Sequence, residues 1–482
     1  MRAFLLSIGS LAVCALAGCT VGPNYHRPAA PAPPAFKEQQ PPPNPPDGTW
    51  KQAQPEDAAH RGKWWEIYGD PQLNSLEEQV VVSNQTLRAA TERYLAAQEQ
   101  VRVARADAYP ALSVGADAQR LHPSQRRAVY VPGSKTNYGD LVLQGQATWE
   151  PDLWGRVRRS VEAAKANAQA SAADLAGVEL SLRSELALDY FQLRGLDLQK
   201  QLLDSTVADY EGSLELTQRR FHGGVASDSD VAQAETQLRS TRSQAIDVGV
   251  ARAQFEHAIA TLVGVPASSF SLAAAPLNLP LPAVPAGLPS QLLERRPDVA
   301  AAERRVQAAN AQIGLAISAY YPNITLGGNG GFESGGISTL IQGPGALWSL
   351  GASASELLFD AGRRHALTQQ SRDLYEATAS DYRESVLNSF QEVEDSLAAL
   401  RLLDEESRSE RDAVTSAERS LTISNNRYTG GVTGYLEVLT AQTAKLTNQR
   451  SAADITTRQF AASVRLIRAI GGGWDASQLP RP

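Results

Sequence analysis

The sequence predicts a mixed α+β membrane protein built from an internal tandem repeat, with long helices joined to sets of membrane-length strands. Three observations predict it. The stretch from Gly155 to Gly264 recurs from Gly362 to Gly471 at a constant offset of 207 residues. Each copy holds two alternating apolar and polar segments of about ten residues, the length of a tilted membrane strand. Each copy also holds a proline-free run of about 66 residues with apolar positions at helical spacing, Gly155–Phe221 and Gly362–Tyr428.

The repeat is legible residue by residue. Gly155-Arg156 faces Gly362-Arg363, and Leu262-Val263-Gly264 faces Ala469-Ile470-Gly471. Arg220-Phe221-His222-Gly223-Gly224-Val225 faces Arg427-Tyr428-Thr429-Gly430-Gly431-Val432. Upstream the copies align at an offset of 212, where Ala108-Tyr109-Pro110 faces Tyr320-Tyr321-Pro322. A change of offset belongs in a loop. A tandem duplication implies that each copy supplies an equivalent piece of one larger symmetric object.

The strands are expected at 111–120, 138–149, 323–333 and 346–358, where residues such as Leu112, Val114, Ala116 and Ala118 recur at every second position. Each copy thus supplies one hairpin. Four strands cannot close a barrel, and an open edge in lipid leaves backbone groups unpaired, so a membrane-embedded sheet requires oligomerisation. Leu175, Val178, Leu182, Leu186, Tyr190, Leu193 and Leu196 recur at three and four. A continuous helix over this run reaches roughly 100 Å, three times a bilayer core. Val225–Leu262 and Val432–Ile470 run back.

These signals divide the chain into a signal segment (1–18), a proline-rich N-terminal segment (19–72), a first repeat (73–264), a proline-rich linker (265–292), a second repeat (293–472) and a tail (473–482). The first repeat holds a helix, a hairpin over 111–149 and a long helical hairpin over 155–262. The second holds a helix, a hairpin over 323–358 and a helical hairpin over 362–470. One amphipathic helix is expected from about Leu73 to Ala108. Pro297 and Asp298 fit the first turn of another.

The N-terminus has Arg2, an apolar run from Ala3 to Val13 and small residues before Cys19, the pattern of an export signal. Leu16-Ala17-Gly18-Cys19 resembles the bacterial lipobox, which implies cleavage and acylation at Cys19. Thr20, where that class carries Asp for inner-membrane retention, implies sorting to the outer membrane. With Cys14 removed beside the signal, no disulfide framework remains. Two or more acyl chains give stable anchoring.

Composition excludes other classes. The chain of 482 residues has a net charge of −7, 6% aromatic residues and one methionine, thin material for several globular cores and no basic footprint for nucleic acid. The six histidines are scattered without metal-ligand spacing, and no P-loop or Gly-x-Ser-x-Gly elbow is present. The sequence offers no catalytic residue set, metal site or cofactor motif.

The joint order of several motifs resembles the TolC-like outer membrane factors, in the lipidated NodT or OprM-type efflux branch. They are the lipobox, Trp64-Trp65, Gly69-Asp70-Pro71, Trp149-Glu150-Pro151-Asp152-Leu153-Trp154-Gly155-Arg156, Leu293-Glu294-Arg295-Arg296-Pro297-Asp298, Leu358-Phe359-Asp360-Ala361-Gly362-Arg363-Arg364 and the two Gly-Gly turns. The resemblance implies a homotrimer in which each protomer adds four strands to a twelve-stranded outer-membrane β-barrel, continued by a periplasmic α-helical barrel. It implies no enzyme. Its implied role is to conduct drugs or other small molecules from an inner-membrane pump, of the RND type, and a periplasmic adaptor (membrane fusion) protein to the exterior.

The resemblance also places function on residues. Arg220, Phe221, Gly223, Gly224 and Val225, with Arg427, Tyr428, Gly430, Gly431 and Val432, become the adaptor-docking tips. Tyr428, Leu436 and Glu437 become the periplasmic gate, joined by Asp230, the copy-one equivalent of Glu437. Thr440 and Thr443 stand where relatives carry an aspartate and an arginine, so a second charged ring is not expected. Two rival readings stay open: a duct for a type I protein secretion system, and a periplasmic coiled-coil scaffold.

Overall fold

The computed structural model describes residues 20–30, 33, 35–38, 62–284, 294–474 and 476–480, without positions 125, 127, 129, 130, 132 and 134. The signal segment, Cys19, most of the proline-rich stretch before residue 62 and residues 285–293 lie outside the described residues.

Two helices open the body, α1 (Pro71–Ser83) and α2 (Gln85–Ala106). Strands β1 (Ala111–Leu121) and β2 (Tyr138–Trp149) follow, then α3 (Arg156–His222) and α4 (Asp228–Leu262). The second half contains α5 (Pro297–Ser318), β3 (Asn323–Ser334), β4 (Ala346–Ser355), α6 (Arg363–Thr429) and α7 (Tyr435–Ala469). The helices α3 and α6 have 67 residues each, and α4 and α7 have 35 each. Both pairs begin and end at the 207-residue offset, while α2 and α5, 22 residues each, keep the offset of 212. At 1.5 Å per residue, α3 and α6 extend about 100 Å. No described helix is long and apolar enough to cross a membrane.

The helix expected from Leu73 to Ala108 is two helices. Asn84 leaves the helical region at φ −69° and ψ 123°. Its side chain accepts from Leu87 N at 2.9 Å, capping α2, and donates to the Leu262 carbonyl at 2.8 Å. A Cβ on Gly264 would meet the Ser83 carbonyl oxygen at 2.3 Å. The break is therefore set by the far end of the first repeat, which no local pattern displays.

Helices α2, α3, α5 and α6 pack side by side in that order as one wall, and α4 and α7 fold back against α3 and α6. The core lies at mid-height. Trp64, Trp65 and Tyr68 of a short 3₁₀ helix join Leu73, Leu76, Tyr190, Phe191, Ile259 and Phe460 there, all buried. Burying a large side chain of this kind contributes about 1.5–3 kcal/mol, so this cluster ties the two repeats together.

The N-terminal segment straps the wall. Arg159, only 3% exposed, donates to the Val21 and Gly22 carbonyls. A Cβ on Gly22 would sit 2.4 Å from Gly314 Cα, and Gly22 takes φ +92°. Tyr25 donates to Glu303, Phe36 is buried near Val393, and Arg401 pairs with Glu38 at 2.7 Å.

Candidate functional site

The four strands form one antiparallel sheet in the order β1-β2-β3-β4. Its register places Leu112 opposite Ala147, Ala116 opposite Leu143, Leu143 opposite Phe332, and Gly330 opposite Trp348. Paired residues share a face, so one face carries Leu112, Val114, Leu141, Leu143, Trp149, Leu326, Phe332, Trp348 and Leu350. The other carries Ser113, Asp117, Gln144, Gln146, Thr148, Asn329, Glu333, Ser349 and Ser353. Leu112, Val114 and Trp348 are each 81% exposed. An apolar face this exposed on a sheet with a polar reverse is the pattern of a membrane barrel wall around a hydrated lumen. Asn329 donates to Gln144 and accepts from Ser349 on the polar face. A Cβ on Gly331 would lie 2.1 Å from the Leu143 carbonyl oxygen, so glycine there lets β2 and β3 approach.

The sheet joins the helices through charged corners. Arg156 reaches Glu150 at 2.8 and 2.9 Å, and Asp152 accepts from Val157 N and Arg158 N at the start of α3. In copy two, Asp360 accepts from Gly362 N and Arg364 N. Gly155 and Gly362 precede their helices at φ +81° and +87°, a region glycine enters freely. The conserved geometry of both corners fits the positive start of each helix, where a carboxylate is favoured.

At the opposite end, both Gly-Gly turns reverse the chain. Val225 N donates to the Arg220 carbonyl and Gly224 N to the Phe221 carbonyl, and Val432 N and Gly431 N repeat the pair on Arg427 and Tyr428. These are two Schellman motifs. The second glycine of each takes positive φ, +71° at Gly224 and +74° at Gly431. Gly223, Gly224, Val225, Gly430, Gly431 and Val432 are exposed, and Phe221 is 40% exposed.

Tyr428 is not an open lining residue within the chain. It is 4% exposed, meets Tyr435 edge to face at 5.6 Å, and donates to Thr217 at 3.3 Å. The Arg220 guanidinium sits 4.7 Å from its ring centre and donates to the Thr429 carbonyl at 3.0 Å. Arg220 thus reaches across to the other tip and is only partly exposed. Burial pushes the Tyr435 hydroxyl up to about 12, so it stays a neutral phenol beside Tyr428.

Glu437 and Asp230 occupy the third position of α7 and α4, but their carboxylates differ in use. Ser227 precedes α4, and Asp230 accepts from its backbone N while the Ser227 hydroxyl accepts from Asp230 N. Gly434 precedes α7 and offers no side chain. Glu437 instead meets Arg427 at 3.3 Å, each about half exposed. Leu436 is 62% exposed and lies outside the Tyr428 cluster. Thr440 and Thr443 donate to carbonyls one turn back. The sequence reading missed Thr217 and Tyr435 as partners of Tyr428. The seven-residue spacing of Tyr428 and Tyr435 across the turn was the only signal.

No group of three metal-ligating side chains occurs among the described residues.

Comparison with known proteins agrees with this geometry. A family model described as "Outer membrane efflux protein" matches residues 76–265 and 288–472. The antibiotic efflux pump outer membrane protein ArpC of Pseudomonas putida is 32% identical over 97% of this chain and 96% of its own length. The pyoverdine export outer membrane protein OpmQ of Pseudomonas aeruginosa is 31% identical over 88% of this chain and 90% of its own. Among solved structures, the outer-membrane channel OprN superposes with a TM-score of 0.84 at 29% identity, over 95% of this chain and all of that one. With a two-faced sheet, two long helical hairpins and relatives aligned nearly end to end, the chain belongs to the outer membrane efflux protein family and is an outer-membrane efflux channel.

Proposed function

We propose that three copies of this chain close one twelve-stranded barrel and one continuous helical tunnel, through which small molecules pass from an inner-membrane pump to the exterior. The observation that carries the reading is the four-stranded sheet with a continuous apolar face and two unpaired edges, β1 and β4. In lipid each unpaired backbone group costs several kcal/mol. Edge-to-edge closure by identical copies removes every edge, and rotational symmetry makes one interface suffice. The long helices then continue the conduit about 100 Å into the periplasm.

Partners follow from the shape. The exposed tip residues Phe221, Val225 and Val432 with their glycines are the docking surface for a periplasmic adaptor, which links the duct to a pump of the RND type. The relatives' names include antibiotic efflux and pyoverdine export, so small organic molecules are the cargo class. Acylation at Cys19 anchors the mature N-terminus. Thr20 supports this, because it lies against Gly155 at the junction of sheet and helices, the level of the membrane surface.

The tips are also the gate. Tyr428 is held by Arg220 of the other repeat, and Glu437 is held by Arg427, so the closed mouth is a set of contacts that opening must break. The test is conductance of the purified protein in planar bilayers, read beside its migration as a heat-resistant trimer. A trimer with low conductance that rises on replacing Tyr428 and Glu437 together supports the reading. A monomer, or a trimer whose conductance is unchanged by that replacement, sinks it.

A further inference from the structure

A basic cavity lies on the outer face of the wall, directly beneath the apolar face of the sheet. It measures about 740 Å³ and is lined by Arg105 in the last turn of α2 and Tyr109 just after it, Trp149 at the end of β2, Arg158 and Lys165 on α3, and Arg304 on α5, among others. Its position is fixed by Trp149, which belongs to the apolar face and donates to the Ala108 carbonyl at 3.0 Å. The strap held by Arg159 runs along the same side of α3 and α5.

The charge inside is unbalanced. Four cations face two carboxylates, Asp152 and Glu162. Asp152 is occupied by the start of α3 and by Arg158, and Glu162 pairs with Arg159. Arg304 contacts Glu303 at 3.6 Å and Gln307 at 3.0 Å. Arg105 and Lys165 make no ion pair among the described residues. Two unneutralised cations beside an indole and a phenol, Tyr109 being 72% exposed, form a pocket for an anionic head group whose lower charge meets arginine and lysine and whose upper part meets aromatic rings.

We propose that this cavity binds the phosphate of an anionic phospholipid from the periplasmic leaflet of the outer membrane, with Arg105 and Lys165 as its main contacts. The glycerol region lies against Trp149 and Tyr109, the interfacial position that such rings favour. The acyl chains rise along Leu112 and Val114, which continue the same face upward from the cavity. Basic pockets at the membrane surface recognise such head groups by charge. Free inorganic phosphate shares the chemistry of the head group but has nothing to place on the apolar strands, and the sheet above the cavity therefore favours the lipid.

The test is native mass spectrometry of the full-length protein in detergent, titrated with phosphatidylglycerol or phosphatidylcholine of matched chains. Wild type is compared with Arg105→Ala/Lys165→Ala and with Arg408→Ala/Arg411→Ala, an equal charge change on exposed α6 residues. The proposal expects preferential phosphatidylglycerol adducts on wild type and on the α6 control. It expects a loss of about 30-fold in apparent affinity for the Arg105/Lys165 variant, two juxtamembrane cations at their usual worth. Lys165→Arg retains binding, which separates charge from folding. Equal adducts of both lipids on wild type, an undiminished Arg105/Lys165 variant, or displacement of the lipid by millimolar inorganic phosphate would each overturn it. Trimer migration and conductance are read on the same samples, so failure of the lipid site is distinguishable from failure of the duct.

Discussion

Replacing Tyr428 by alanine should loosen the mouth without dissolving the channel. The ring is buried, and two of its contacts cross from one repeat to the other: the Arg220 guanidinium at 4.7 Å and the Thr217 hydroxyl at 3.3 Å. A cation over a ring contributes about 0.5–2 kcal/mol depending on its exposure. A hydrogen bond at this longer distance contributes about 0.5–1 kcal/mol. Arg220 keeps its bond to the Thr429 carbonyl, so the loss across the repeats is about 1–3 kcal/mol. If opening separates the two tips, that loss raises the ratio of open to closed mouths by a factor on the order of 10 to 100. Tyr428→Phe keeps the ring under Arg220 and should shift the ratio by less than about tenfold. The assay is single-channel conductance in planar bilayers, paired with the sensitivity of cells to a large antibiotic that an intact outer membrane excludes. Heat-resistant trimers with wild-type conductance in both Tyr428→Ala and Arg220→Ala would refute the reasoning.

Gly331→Ala should destabilise the sheet by about 1–3 kcal/mol through overpacking, because its Cβ meets backbone of β2; Gly327→Ala on the same strand, whose Cβ would find only an ordinary contact with the Ala147 carbonyl oxygen at 3.9 Å, serves as the neutral comparison in a heat-dissociation series of the trimer. Glu77 is fully buried with neither carboxylate oxygen hydrogen-bonded, and burial raises its pKa well above the usual range, opposed by Arg183. A raised folded-state pKa means the folded chain holds the proton more tightly, so stability is greatest below the unfolded value and falls as pH rises through the folded one. Glu77→Gln should therefore flatten that fall and raise the melting temperature at neutral pH, measured by calorimetry across pH 4 to 8. Arg159→Ala removes the donor to Val21 and Gly22 and should expose the N-terminal strap to limited proteolysis, with cleavage before residue 38 appearing earlier than in wild type. Cys19→Ser should abolish incorporation of labelled palmitate.

Most of the architecture was legible because it is periodic. The repeat offset, the alternation in the four strands and the helical spacing of α3 and α6 are local patterns that burial and pleat impose on any sequence making these elements. The double glycines marked the reversals because one residue of each turn takes positive φ. What stayed hidden depends on contacts between distant residues. Asn84 breaks a helix because Leu262 and Gly264 lie beneath it, 178 residues or more away. Arg220 reads as a solvent-facing tip residue until Tyr428, on the other repeat, is seen under it. The different uses of Asp230 and Glu437 turn on one substitution before each helix, Ser227 against Gly434, which alignment of the two copies displays only once the helix starts are known. The basic cavity needs three helices and a strand to assemble and has no signature in any one of them.

The most direct test of the central claim is retention of a fluorescent cationic dye by cells that lack this protein, complemented with wild type or with a chain missing residues 428–432. A working efflux duct predicts high retention without the protein, low retention with wild type and high retention again with the tip deletion. Equal retention in all three strains would contradict it.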